Sequence, residues 1–172
     1  MTELLVPFRG ERYAAADRLS ALLAPPYDVI APPERAMLAA RDPHNIVHLI
    51  LPEAGVLPAG GAVDRYAHAA ALLDRWRGEG VLRRDPEPAV YVLAQDFTVP
   101  TGERRTRLGM FAALSAEPYE TGRVKPHERT HAGPKADRLA LRRATRTGLE
   151  AVLVLAPDPD GALAAALAAI GR

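Results

Sequence analysis

Between Val63 and Arg77 the apolar residues Tyr66, Ala69, Ala70, Leu73 and Trp76 recur at three- and four-residue steps. That spacing predicts an amphipathic helix with Trp76 as its core anchor, ended by Gly78 and Gly80. Leu19, Leu22 and Leu23 give a second helical pattern over 14–23, stopped by Pro25-Pro26. Pro33 can open a helix running to Arg41. Leu4 to Phe8 reads as a short strand, Tyr27 to Ile30 as extended chain, and Gly55 to Gly61 as a loop. Asn45 to Leu51 (NIVHLIL) is β-branched and apolar and predicts a strand. Ala89 to Val99 and Arg105 to Leu114, joined by Pro100-Thr101-Gly102-Glu103, predict a β-hairpin. Tyr119 to Ala136 is polar, holds two prolines and two glycines, and reads as a long loop. A helix over Arg138 to Thr147 capped by Asp137, a strand over Ala151 to Leu155 and a helix over Asp160 to Ile170 complete the reading. The order predicts one α+β domain over residues 1–172, a mixed sheet containing an antiparallel hairpin with helices packed on it.

Composition narrows the functional classes. The 172 residues carry 22 basic and 21 acidic side chains, so net charge gives no reason to expect nucleic acid or a membrane surface as partner. With no cysteine, disulfides, thiol nucleophiles, thiolate zinc sites and iron–sulfur clusters are excluded. No basic segment followed by an apolar one opens the chain, and no apolar run reaches the roughly 20 residues of a membrane span, which predicts a cytoplasmic protein.

Of the 22 basic residues only Lys125 and Lys135 are lysine, and both lie in the densest polar segment. That segment, Lys125 to Arg138, holds four basic side chains, the carboxylates of Glu128 and Asp137, the imidazoles of His127 and His131 and the hydroxyl of Thr130. A loop of this composition leading into a helix N-terminus is a natural anion site. Lysine brings a point charge to a phosphate and arginine a fork. Lys125, Arg129, Thr130, Lys135 and Arg138 are therefore the candidate phosphate ligands, with Arg9 of Pro7-Phe8-Arg9-Gly10 as an outlying one. His127 or Glu128 is the candidate base. Asp137 or Asp28, next to Tyr27 in Pro25-Pro26-Tyr27-Asp28, could hold Mg2+ accompanying a nucleotide. The plain alternatives are a solvated loop, a structural cap at Asp137 and a rigid turn at Asp28.

Two further patterns carry less. His127-Glu128-Arg129-Thr130-His131 spells the H-E-x-x-H of zinc hydrolases, which needs one helix through all five residues; Pro126 and Gly133-Pro134 argue against that helix and against zinc. Gly102-Glu103-Arg104-Arg105 spells a ParB-type nucleotide string, yet falls on the predicted hairpin turn. His44 and His48 flank the start of the expected strand and read as ordinary hydrogen-bonded histidines.

Pro7-Phe8-Arg9-Gly10-Glu11-Arg12-Tyr13, Pro25-Pro26-Tyr27-Asp28-Val29-Ile30, Asn45-Ile46-Val47 with Leu49-Ile50-Leu51-Pro52, Gly80-Val81-Leu82 before Asp85, Tyr91, Arg107 to Gly109, His127-Glu128-x-Thr130 and Lys135-x-Asp137-Arg138-Leu139 follow one another along the chain. In content and order these strings resemble a bacterial and archaeal family named domain of unknown function 1015. The family has been grouped with ParB-like proteins and free-serine kinases, so the resemblance implies a phosphotransferase or phosphatase acting on serine, phosphoserine or a related small metabolite. Its members are typically more than twice as long and carry a later Asp-Gly-His-His-Arg string, absent here. The resemblance thus places this chain at the family's N-terminal half. The competing expectation is a non-catalytic module that pairs with a protein partner supplying the other half, or with itself as a homodimer.

Overall fold

The computed structural model describes residues 3–57, 60–126 and 131–170. The fold is α+β, and the chain forms two compact units. A helical unit comprises Glu11–Arg84 and Pro126–Ala151; a hairpin unit comprises Met1–Gly10, Asp85–Lys125 and Val152–Arg172. Among the described residues the strands pair two by two, always antiparallel, in four small ladders.

The helical unit is built on α4 (Arg65–Gly78). Asp64 caps it, its Oδ1 accepting the amides of Tyr66 at 2.8 Å and Ala67 at 2.9 Å. At the far end Gly80 takes a left-handed φ of 73°, and the Val81 amide donates back to the Trp76 carbonyl, closing the helix. The buried face of α4 presents Leu72, Leu73 and Trp76, which cluster with Leu49; Tyr13, Ile46, Val81, Leu82 and Leu149 pack around them. Trp76 is fully buried, as its helical spacing predicts. Helices α3 (Val47–Ile50) and α5 (Ala132–Thr145) pack on α4, α2 (Pro32–Arg41) on α3, and α1 (Leu19–Leu22) on α2. Strand β2 (Glu11–Tyr13) pairs with β5 (Leu82–Arg84), and β3 (Gly55–Val56), inside the expected loop, with β4 (Ala62–Val63) just beyond it.

The run Asn45 to Leu51 is not a strand. Asn45, fully buried, accepts the Val47 amide on Oδ1 and donates Nδ2 to the carbonyls of Ala21 and Leu23. It thereby starts the short helix α3, and Val47, Leu49 and Ile50 are all buried. A continuous apolar run looks the same in a buried helix and a buried strand, and the Asn side chain decides between them. Tyr27 to Val29 likewise forms one tight helical turn instead of extended chain.

Helix α5 begins at Ala132, six residues ahead of the expectation. Gly133 and Pro134 occupy its first turn, where the amide that proline lacks has no helical partner in any case. Asp137 therefore lies inside the helix and does not cap it.

In the hairpin unit β1 (Leu5–Val6) pairs with β8 (Ala113–Leu114), and β6 (Tyr91–Thr98) with β7 (Arg104–Phe111). The β6–β7 turn is closed by the Gly102 amide on the Val99 carbonyl at 2.8 Å, with Gly102 at φ 86°. Gly102-Glu103-Arg104-Arg105 is thus turn and strand start, with Arg105 paired to Glu103. Helix α6 (Ala162–Ile170) packs on β7. Val152 to Leu155 forms no strand: no ladder among the described residues accepts it, and its side chains are exposed. Strand propensity describes fit to a half-buried pleated surface, and this segment has none to fit.

Candidate functional site

Helix α5 brings Asp137 and Arg138 against two distant parts of the helical unit. The carboxylate of Asp137 accepts Arg65 Nη2 at 2.7 Å and the Tyr66 hydroxyl at 2.8 Å on Oδ1, and Arg138 Nε at 2.9 Å and Nη2 on Oδ2. Burial by itself would push its pKa up. The bonds from Arg138 and Tyr66, with the charges of Arg138 and Arg65, outweigh that and hold the carboxyl below the usual range.

Arg138 spends the rest of its fork inward. Nη1 donates to the Ile50 carbonyl at 2.7 Å and to Glu150 at 3.0 Å, and the guanidinium stacks 4.1 Å above the centre of the Tyr27 ring. Burial disfavours its charge, but bonds to Asp137 and Glu150 prevail and raise its pKa. Sequence strings more than a hundred residues apart, Pro-Pro-Tyr-Asp and Lys-x-Asp-Arg, thus meet in one stacked ion-pair lattice.

The candidate residues divide accordingly. Asp137, Arg138 and Tyr27 are drawn together; Asp28, beside Tyr27, stays exposed. With four donors on its two oxygens, Asp137 offers no free position to a magnesium ion, whereas Asp28 does. Lys135 and His131 are exposed at the start of α5. His131 is the residue before the helix, at φ −65° and ψ 142°, so the zinc-hydrolase geometry, which requires His131 inside a helix, does not form there. His127, Glu128, Arg129 and Thr130 lie outside the described residues. Lys125 is exposed in the hairpin unit.

Arg9 also belongs to the hairpin unit, where its Nε donates to the Asp85 carbonyl at 2.8 Å. Beside it the Tyr91 hydroxyl donates to Asp85 Oδ2 at 2.6 Å and accepts the Gly10 amide at 2.7 Å. A Cβ on Gly10 would lie 2.7 Å from the Tyr91 ring, so only glycine admits this approach. Pro-Phe-Arg-Gly, Asp85 and Tyr91 therefore form a packing device.

Sequence reasoning missed Arg65, Tyr66 and Glu150 as members of the Asp137–Arg138 lattice. Tyr66 had a signal: its place on the apolar face of α4 hid a hydroxyl that needs a partner when partly buried. Arg65 and Glu150 carried none.

An α+β chain whose strings meet as polar lattices beneath a helix start is the class this architecture defines. The family described as protein of unknown function DUF1015 matches residues 5–172, and the chain belongs to it. No curated protein and no solved structure matches the chain. Among the described residues no helix is long and apolar enough to cross a membrane.

Proposed function

We propose that the chain is a phosphate- or nucleotide-binding domain of the cytoplasm, related to phosphoryl transfer on a small metabolite such as serine or phosphoserine. The observation that supports this is the start of α5. No side chain among the described residues caps it, no acidic residue sits in its first turn, and Lys135 does. The helix dipole and a lysine ammonium favour a phosphate group. In this reading the Asp137–Arg138–Tyr27 lattice fixes the helix, and Lys135 with Arg129 and Thr130 contacts the anion. His127 or Glu128 acts as base, and Asp28 assists a nucleotide-bound Mg2+.

A thermal-shift series with ATP, ADP, phosphoserine and inorganic phosphate, each with and without Mg2+, tests it. A ligand at 100 times its Kd stabilises by about 2.7 kcal/mol, a shift of a few degrees for a domain of this size. The expected shift appears with a phosphorylated ligand and is lost in Lys135→Ala. No shift with any ligand, or one untouched by Lys135→Ala, overturns the reading.

A second reading, an interaction module that binds a protein partner or a second copy, is favoured by the hairpin unit. Phe97, Leu108, Phe111 and Val152 to Leu155 are all exposed there, more apolar surface than single scattered side chains explain. Gel filtration that shows a strict monomer binding no hydrophobic dye removes this reading.

A further inference from the structure

Away from α5, the helical unit holds a second concavity, a cleft of about 190 Å3 lined by Tyr13, Ala15, Arg18, His44, Glu79 and Val81 among others. Buried Asp42 organises one side. It accepts the His44 amide at 2.8 Å and the Arg18 guanidinium, and its Oδ1 lies 3.5 Å from His44 Nδ1. The His44 amide bond is the largest influence holding the Asp42 carboxyl below its usual range, and the charge and hydrogen bond of Arg18 add to it. The His44 ring stands edge-on to Trp76, with centroids 5.5 Å apart. Trp76 Nε1 is buried without a hydrogen-bond partner among the described residues. The Tyr13 hydroxyl is already committed to the His44 carbonyl at 2.7 Å.

The charged side chains at the cleft are incompletely used. Glu79, 50% exposed, lies 3.6 Å from His44 Nε2 and 3.9 Å from Arg75 Nε, so both neighbours stand beyond hydrogen-bond length. Arg18, 54% exposed, turns one nitrogen to Asp42, and its fork holds further N–H groups. The loosely paired Glu79 carboxylate and the Arg18 fork thus share one small cavity, with Ala15, Leu22 and Val81 as an apolar wall. A simple anion would meet Glu79 and a simple cation would meet Arg18, each a like-charge contact. A molecule bearing both charges can set its ammonium at Glu79 and its carboxylate on the Arg18 N–H groups other than the one that meets Asp42. The volume lies below the roughly 300–1,000 Å3 of pockets for drug-sized ligands, which restricts the occupant to a few heavy atoms.

We propose that this cleft binds a small zwitterion, its carboxylate on Arg18, its ammonium on Glu79 beside His44, and its short aliphatic body on Ala15, Leu22 and Val81. The site shares no residue with the α5 start and stands whether or not phosphate binds there.

The test is an NMR titration of the full chain, following the His44 ring signals, assigned by their loss in His44→Gln. The probes are L-alanine and γ-aminobutyrate, with acetate and ethylammonium as one-ended controls. A saturable shift of His44 with a zwitterion, at least tenfold tighter than with either control, is expected. Glu79→Gln, an isosteric change at a half-exposed site, and Ala15→Leu, which fills the cleft, should each weaken it tenfold or more while the chain stays folded. The absence of a saturable shift up to 100 mM overturns the proposal. So does equal binding of the one-ended controls, or full binding by folded Glu79→Gln.

Discussion

Ten of the eleven buried apolar side chains among the described residues lie in the helical unit; the hairpin unit contributes only Leu167. The exposed large apolar side chains divide the other way, fourteen of twenty in the hairpin unit. The helical unit closes on Trp76, and its buried polar groups Asp42 and Asn45 are matched by Arg18, His44 and backbone. The hairpin unit instead relies on backbone ladders and on the Gly10–Tyr91–Asp85 contact. One unit is organised by what it hides, the other by what it hydrogen-bonds. The second arrangement leaves large apolar side chains exposed.

The largest expected effect is at the centre of the helical unit. Trp76→Ala should cost about 3–5 kcal/mol, read by circular dichroism in urea because Trp76 is the chain's one tryptophan. A loss under about 1 kcal/mol would deny that this unit owns the core. Next, Asp137→Asn should cost about 1–3 kcal/mol at neutral pH, since it weakens charged bonds to Arg65 and Arg138. Asp137 and Asp42 both have carboxyls held low in the folded chain. Their stabilisation is present above the unfolded carboxylate pKa of about 3.9 and is lost as pH falls through the lower folded values. The urea midpoint should therefore hold from pH 7 to about 5 and drop in acid, less steeply in Asp137→Asn. A midpoint that rises on acidification contradicts the lattice.

Gly10→Ala sharpens the contrast at a smaller scale. Forcing the Tyr91 ring away should cost about 1–3 kcal/mol in the hairpin unit while Trp76 fluorescence stays native. Coincident loss of both signals would show that the two units unfold as one. The smallest effect belongs to Leu155→Asp, expected within about 0.5 kcal/mol of the parent. Its readout is reduced hydrophobic-dye binding, and an unchanged dye signal would remove Val152 to Leu155 from the offered surface.

The elements most legible in the sequence were those with period and punctuation together. Helix α4 showed a 3.6-residue pattern between Asp64 and Gly80, and the β6–β7 hairpin showed two apolar runs around Gly102. The α+β class followed from them. Legibility failed where a partner decides the outcome. Asn45 makes a helix of a strand-like run because carbonyls of Ala21 and Leu23 receive its amide. Val152 to Leu155 has strand composition and no strand among the described residues to pair with. Around α5 the polar string was visible, but the stacking of Arg138 on Tyr27 was not, because a contact between residues so far apart leaves no local pattern.

That long-range stacking also sets an order on biosynthesis. Arg138 grips the Ile50 carbonyl across 88 positions of chain. At about 5–20 residues per second, a ribosome delivers the arginine roughly 4–18 s after the carbonyl it will hold. During that interval Tyr27 and the end of α3 emerge without their clasp, and Leu5 waits similarly for Leu114. Each unit is therefore closed by chain that leaves the ribosome long after the segment it clasps.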